Sequence, residues 1–226
     1  MRYENVKRGR FISRPNRFIA HVEVDGEIKV CHVKNTGRCR ELLTDGATVI
    51  LDRPTGRERK TEYDLVAVYK GDLLINMDSQ APNKVFGEWA ESSGYFGDAP
   101  TVLGERVYGD SRLDFYIESG ERRIYAEVKG VTLEQDGVVM FPDAPTERGI
   151  KHLRELTRAV SEGYEAYAVF IVQMERCLYF TPNRATHPQF ADALVQAEAA
   201  GVKLLALTCE VEEDSLTVRS QTEVRL

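Results

Sequence analysis

The stretch that decides the fold is Ser111–Lys129, which reads SRLDFYIESGERRIYAEVK. Two strand-like segments flank the turn signal Glu118–Glu121, a pattern that is typical of a β-hairpin. Side chains alternate along a strand, so Glu127 and Lys129 share one face, and the turn brings Asp114 within a residue or two of Glu127. The sequence therefore predicts two neighbouring carboxylates with a lysine beside them.

This set of side chains suits metal-assisted phosphodiester chemistry. Two adjacent carboxylates repel each other unless a cation lies between them, and Mg²⁺ prefers oxygen ligands. We expect Asp114 and Glu127 to bind Mg²⁺ or Mn²⁺, with the backbone carbonyl of Val128 as a further ligand. Lys129 would position the attacking water or stabilise charge on a phosphate. From spacing alone, the alternative is a solvated hairpin face with a cross-strand ion pair.

Length and composition limit the class of protein. The chain has 226 residues, enough for one large or two small domains, and a hydrophobic content of 42% supports a real core. We find no membrane-length apolar run and no signal-peptide core near Met1, so we expect a cytoplasmic protein with no membrane partner. The four cysteines have neither CxxC nor zinc spacing, and the four histidines form no obvious ligand cluster.

Charge is distributed unevenly along the chain. The formal net charge is −6, yet residues 1–60 carry 14 Lys and Arg against 8 Asp and Glu. This asymmetry suggests two units with different tasks, in which a basic front end can follow phosphates while an acidic rear end holds cations. The alternative is that the acidic surface only promotes solubility.

Residues 1–80 read as a small β-barrel of the OB type. Strand-like segments flank the hairpin signal Asp25-Gly26, and three more strands follow before Asn76. The alternation that begins at Phe18 places this ring in the core, and Trp89 further along is also expected to pack. Barrels of this type commonly bind single-stranded nucleic acid, and the candidate binding residues here are Arg14, Arg17, His32, Arg38 and Arg40; the alternative is that these arginines are merely solvated.

From Val85 the predicted order of elements is α-β-β-β-α-β-α-β. The apolar run Ala166–Val172 is typical of a central strand covered on both faces, and a helix with one apolar stripe begins near Thr146. Residues Gly94–Gly104 are expected to be irregular, and Pro142-Asp143 belongs to a turn. The order gives a mixed β-sheet flanked by helices, an α/β (α+β) architecture that resembles the PD-(D/E)XK nuclease fold, although Leu113 replaces that family's proline.

Longer motifs carry a closer resemblance. They are Arg14–Phe18 (RPNRF), His32–Arg38 (HVKNTGR), Gly109–Phe115 (GDSRLDF), Glu127–Leu133 (EVKGVTL) and Phe141–Leu153 (FPDAPTERGIKHL). Together they closely resemble the sugar fermentation stimulation protein A (SfsA) family. The resemblance implies an OB-like nucleic-acid-binding domain, predicted at residues 1–80, and a PD-(D/E)XK nuclease-like domain at residues 81–226. It also implies DNA binding with little sequence preference and a role in regulating sugar-utilisation genes.

Three further residues are candidates for the site. Glu88 lies on the helix before the hairpin, where some nucleases of this fold have a metal-ligating glutamate; the alternative is a solvated helix residue. Arg148 and Lys151 lie near the start of the helix after the catalytic strands, where a helix end attracts phosphate. The alternative for this helix is a surface ion pair between Glu147 and Lys151.

Three functions compete. The first is a metal-dependent nuclease acting on DNA, or on RNA, single- or double-stranded. The second is a non-catalytic DNA-binding transcriptional regulator that uses the nuclease fold as a scaffold. A small-molecule phosphodiesterase or sugar-phosphate sensor is disfavoured because the chain has no glycine-rich phosphate loop. The polar stretch after Glu210 leaves an edge strand or a homodimer contact as alternatives.

Overall fold

The first part of the chain forms a closed five-stranded barrel, which confirms the OB prediction. The computed structural model describes residues 1–35, 37–55 and 60–226, so Thr36 of the HVKNTGR motif lies outside the described residues. The strands are β1 Val6–Asn16, β2 Ile19–Val24, β3 Glu27–Val33, β4 Thr48–Asp52, β5 Tyr63–Lys70 and β6 Leu73–Asn76. Antiparallel pairs join β1 to β2 and β4, and a parallel pair between β3 and β5 closes the barrel. Strand β6 extends the sheet beyond β5.

The predicted hairpin at Asp25-Gly26 is present, and both residues have positive φ, at 53° and 81°, as a tight two-residue turn between right-twisted strands requires. Strand β1 was not predicted, because Phe11 is its only deeply buried residue and its polar remainder gives no alternation. The prediction that Phe18 is buried was wrong, since its ring is 49% exposed. Strand β2 begins at Ile19, one residue after Phe18. Phe18 belongs to the preceding turn, where its backbone N–H donates to the Asn16 side chain.

The second part of the chain is the predicted mixed sheet flanked by helices. Its elements are α1 Ala81–Ser92, β7 Thr101–Tyr108, β8 Ser111–Ser119, β9 Arg122–Val131, β10 Leu133–Gln135, β11 Val138–Phe141, α2 Glu147–Ser161, β12 Glu165–Val172, β13 Tyr179–Pro182, α3 Pro188–Ala199, β14 Lys203–Val211 and β15 Leu216–Thr222. The main sheet has the order β15-β14-β12-β9-β8-β7. Strand β12 lies parallel between β9 and β14, as its apolar run predicts, and β15 is an edge strand.

The two faces of the main sheet pack against different helices. Alternate residues of β12 divide accordingly: Val169 and Ile171 pack with α1, whereas Ala168 and Phe170 pack with α2 and α3. Trp89 on α1 packs against the cluster that contains Val169 and Ile171, as predicted. Within the described residues, no helix combines the length and apolar character needed to cross a membrane.

Three details of this half differ from the sequence-based expectations. Helix α1 begins at Ala81, four residues before the predicted start, with Pro82 in its first turn, where a missing N–H costs nothing. Part of the segment expected to be irregular is edge strand β7, whose exposed side chains give no apolar pattern. Strand β11 does not join the main sheet; it forms a separate three-stranded sheet with β10 and β13.

A buried polar network joins the two halves. The Asp78 carboxylate is fully buried, lies 2.6 Å from the Lys34 ammonium, and accepts a hydrogen bond from the Tyr3 hydroxyl at 3.1 Å. The Gln173 amide at the end of β12 donates to the Asn76 side chain at 2.9 Å and to the Asp78 carbonyl at 3.0 Å. The barrel, the connecting segment and the main sheet therefore share one set of hydrogen bonds.

The first residues of the chain contact both halves: the Tyr3 ring packs with barrel residues of β4, β5 and β6, while the backbone of this segment bonds to the second half. The amino group of Met1 lies 2.7 Å from the Glu88 carboxylate on α1, and the Met1 carbonyl accepts from Leu216 N at 3.0 Å. Tyr3 N donates to the Asp214 carbonyl at 2.7 Å. This segment therefore covers the start of edge strand β15.

An ionic cluster lies across the starts of three neighbouring strands. On β12, Glu165 accepts bidentate hydrogen bonds from the Arg122 guanidinium on β9, at 2.6 and 3.0 Å, and one from Lys203 on β14 at 2.7 Å. Hydrogen bonding to Arg122 outweighs the opposing effect of burial and, with Lys203, lowers the pKa of Glu165 to about 2. Because this pKa is below its unfolded value of about 4.3, the ionised group stabilises the fold above that pH, and the stabilisation is lost as pH falls towards 2.

We predict that Glu165→Gln lowers the free energy of unfolding at pH 7 by roughly 1–3 kcal/mol and flattens its pH dependence between about pH 4.5 and 2. Urea unfolding across that range measures both effects. Glu198→Gln, at an exposed position of α3, is the matched control and should behave as wild type. Identical pH dependence in wild type and Glu165→Gln would contradict the prediction.

Candidate functional site

The predicted carboxylates lie where two strands of the main sheet separate. Strands β8 and β9 pair from Ser119↔Arg122 up to Phe115↔Ala126, and there the ladder ends. Beyond that point the Asp114 carboxylate accepts the Val128 N–H at 2.8 Å, so a side chain takes the place of the next ladder bond. Asp114 therefore lies beside Glu127. Burial, followed by the charge of Glu127, raises the pKa of Asp114.

The Glu127 carboxylate has two different oxygens. Its Oε1 accepts hydrogen bonds from the Lys129 ammonium and from His152 Nδ1. Its Oε2 is buried and has no hydrogen-bond partner. Burial acts to raise the pKa of Glu127, but hydrogen bonding to His152 and the charge of Lys129 outweigh it, so the pKa is lowered. Glu127 is thus held ionised with one oxygen saturated and one unsatisfied.

The donor set at this position fits a hard divalent cation. A buried carboxylate oxygen without a partner is costly unless a cation or another donor fills the place. Within the part of the chain that the structure describes, no cluster of three or more His, Cys, Asp and Glu side chains suits a metal. An ion at Asp114 and Glu127 would therefore also need backbone carbonyl and water oxygens, which Mg²⁺ accepts readily and zinc sites seldom use.

Glu88 is not at this site, contrary to the prediction. It pairs with the amino group of Met1, and the α1 residue that reaches the carboxylates is Asn83, whose amide donates to Asp114 Oδ1 at 3.0 Å. A helix rotates by about 100° per residue, so a position five residues further faces roughly 140° away. Asn83 was missed because the predicted helix began after it.

Helix α2 brings two residues towards Glu127, only one of which was predicted. Buried His152 contacts Glu127, and Arg148 Nε donates to His152 Nε2 at 3.3 Å. His152 could have been suspected from its polar character within the apolar stripe of α2. Lys151 instead donates to the Asp110 carbonyl at 2.9 Å, so its side chain is engaged at the β7–β8 turn.

The Glu147–Lys151 ion pair, the alternative for this helix, is not formed. The Glu147 carboxylate lies 3.4 Å from His187 Nε2, and Lys151 is engaged elsewhere. Arg148 is therefore the predicted α2 cation that adjoins the carboxylates, through His152.

Four of the predicted barrel residues surround one open cleft. Its lining includes Arg14, Arg17, Arg38 and Arg40. Arg14 differs from the others, because its guanidinium donates to the backbone carbonyls of Arg17, Asn35 and Arg38 at 2.7–2.8 Å. It holds the two loops together, whereas Arg17, Arg38 and Arg40 are exposed.

Two rings lie on the same barrel. The Arg17 guanidinium is 5.5 Å from the centre of the exposed Phe18 ring. His32, also predicted to bind nucleic acid, lies on β3 opposite Asp64 of β5, with its Nδ1 3.1 Å from the Asp64 carboxylate. His32 is not part of the cleft lining.

Comparison with known proteins agrees with this architecture. The family model described as "SfsA N-terminal OB domain" matches residues 12–77, and "Sugar fermentation stimulation protein RE domain" matches residues 80–215. The sugar fermentation stimulation protein homolog of Desulfitobacterium hafniense (strain DSM 10664 / DCB-2) is 60% identical over 226 residues, covering 100% of this chain and 99% of the relative. The Clostridium tetani homolog is 47% identical, covering 99% and 98%.

A solved structure is also similar over its full length. It is described as "The structure of Pyrococcus Furiosus SfsA in complex with Ca2+", has a TM-score of 0.90 and 27% sequence identity, and covers 100% of this chain and 98% of that one. With both family models matched and relatives of high identity over the whole length, the chain belongs to the sugar fermentation stimulation protein (SfsA) family.

Proposed function

We propose that this protein is a Mg²⁺- or Mn²⁺-dependent nuclease that hydrolyses phosphodiester bonds in DNA with little sequence preference. The observation that carries the proposal is the state of Glu127: Oε1 is saturated by Lys129 and His152, while buried Oε2 has no partner beside Asp114. The similar structure described with Ca²⁺ supports it, since Ca²⁺ and Mg²⁺ both prefer oxygen ligands.

Each side chain has a separate part in the proposed reaction. Asp114, Glu127 and the Val128 carbonyl would hold the ion, which when bound supplies Lewis-acid polarisation of the phosphate and lowers the pKa of water. Asn83 donates to Asp114 Oδ1, leaving that carboxylate fixed between α1 and β9. Lys129 lies on the same strand face as Glu127, where its ammonium can orient the attacking water and stabilise negative charge on the phosphate.

The barrel would hold the nucleic acid. Arg17, Arg38 and Arg40 present guanidiniums at one cleft and suit backbone phosphates, while the half-exposed Phe18 ring is available for stacking on an unpaired base. The excess of basic residues in positions 1–60 favours this half over the acidic second half as the binding surface. Single-stranded DNA, and RNA, are therefore substrates to compare with duplex DNA.

A non-catalytic DNA-binding regulator is the second candidate. One observation favours it: the residues that line the basic cleft all belong to the barrel, so DNA binding there would not need the carboxylates. In this case the second half would serve as a scaffold, and a bound ion would adjust affinity without cleavage.

We predict that the wild-type protein cleaves DNA with Mg²⁺ or Mn²⁺ and not with EDTA, and that Asp114→Asn lowers the rate by about 100-fold or more, since a ligand to the ion is lost. Asparagine keeps an oxygen that can accept the Val128 N–H, so the fold is preserved. Glu88→Gln is the matched control and should cleave as wild type. Gel assays on single- and double-stranded DNA and RNA measure the rates.

Two results of that assay would contradict the nuclease proposal. Full metal-dependent cleavage by pure Asp114→Asn would exclude the Asp114 carboxylate as a required ligand of the ion. Binding without cleavage by the wild type under every metal would favour the regulator.

We predict that Arg38→Ala and Arg40→Ala each weaken DNA binding and reduce the slope of log affinity against log salt by about 1, because each removes one phosphate contact. Fluorescence anisotropy on the Asp114→Asn background, at several salt concentrations, measures the slope without cleavage. Arg10→Ala is the control, because Arg10 is paired with Glu23 at 2.6 Å elsewhere on the barrel. A slope that is unchanged in both variants would exclude the cleft as the binding surface.

A further inference from the structure

Both ring nitrogens of buried His152 are engaged, and they define its tautomer. Arg148 Nε carries a hydrogen and can only donate, so His152 Nε2, 3.3 Å away, must accept. The proton of the neutral ring therefore resides on Nδ1, which donates to Glu127 Oε1. Neither nitrogen is left to exchange a proton with a substrate, which separates this histidine from a general acid or base.

The hydrogen bond from His152 determines how Glu127 is oriented. The terminal torsion of a glutamate is broad and close to two-fold, so a carboxylate with one donor can exchange its two oxygens by rotation. Here Lys129 and His152 both donate to Oε1, one from the same strand and one from α2. With Oε1 held by donors from two elements, Oε2 is the oxygen that stays unsatisfied.

Helix α2 supplies the rigidity that this role needs. Arg148 and His152 are one turn apart, and the Thr146 hydroxyl caps the helix by accepting Gly149 N at 3.0 Å. The cap therefore fixes the first turn of α2, which carries Arg148, and Arg148 in turn holds the His152 ring.

We propose that His152 is a positioning residue that holds Glu127 with Oε2 directed at a divalent cation, and that Arg148 fixes the tautomer in which it can do so. This inference rests on the proposed metal-dependent function. Outer partners of metal ligands typically change metal affinity by about 10–100-fold when they are removed.

The test is Mn²⁺ binding by the full-length protein, followed by calorimetry and by the electron paramagnetic resonance signal of bound Mn²⁺. His152→Leu keeps an apolar volume but has no donor, whereas His152→Asn places an amide N–H close to the position of Nδ1. We expect His152→Leu to weaken Mn²⁺ binding by about 10–100-fold and to alter the resonance signal, and His152→Asn to restore most of the affinity.

Each outcome separates the inference from the proposed function. No Mn²⁺ binding by the wild type would overturn the metal site itself. Tight Mn²⁺ binding by the wild type with unchanged affinity in His152→Leu would overturn only the role of His152. Equal losses of affinity in His152→Leu and His152→Asn would also overturn that role, because loss of packing alone would give equal losses. If His152→Leu fails to fold, Arg148→Met is compared with His152→Asn. Weaker binding in Arg148→Met alone supports the inference, and any other pattern overturns it.

Discussion

The relation between the two halves of this protein depends on one buried carboxylate, Asp78. Charge so far from water is tolerated only with close partners, and here Lys34 and Tyr3 provide them. Removal of the lysine would leave an unpaired buried charge, a loss that commonly costs about 3–5 kcal/mol. Burial, followed by the charge of Asp78, also raises the pKa of the Tyr3 hydroxyl, which stays a neutral donor.

The same carboxylate links the basic cleft to the metal-binding candidates. On the barrel side, Lys34 immediately precedes Asn35, whose carbonyl is held by Arg14 and whose amide donates to the Met77 carbonyl at 2.9 Å. On the other side, Asp78 Oδ1 accepts Gln80 N at 2.9 Å, just before the helix that carries Asn83 to Asp114. Binding and chemistry would thus occur on surfaces whose separation is fixed by one network.

The local patterns of the sequence predicted those parts of the fold that local forces decide. The hairpin and the closeness of Asp114 to Glu127 follow from alternation and the turn signal, and the double burial of β12 follows from its apolar run. Strands β1 and β7 escaped prediction because each has a single buried residue and the rest give no apolar alternation. Strand β7 pairs with β8, which follows it directly, and β1 pairs with both β2 and β4, so their places in the sheets are decided by tertiary pairing rather than by their own apolar pattern.

The predictions for individual site residues depended on geometry that one sequence does not contain. Asn83 and Glu88 face different directions on α1, so the start of the helix and its rotation against the main sheet together decide which side chain reaches Asp114. His152 carried a sequence signal, as a polar residue within the apolar stripe of α2, but its contact with Glu127 depends on how α2 packs on β9. Phe18 followed an alternation that holds from Ala20 onward, but it lies in the turn before the strand begins.

The contacts of residues 1–3 have a consequence for the order in which the chain can fold during synthesis. The backbone partners of Met1 and Tyr3, which are Leu216 and Asp214, lie more than 200 residues away in the sequence. The barrel strands can pair among themselves early, and Tyr3 can pack on them, but the hydrogen bonds of this segment to Asp214 and Leu216 cannot form until those residues have been made. Closing so long a loop is entropically costly and slow, so the contacts between residues 1–3 and the start of β15 form late in folding.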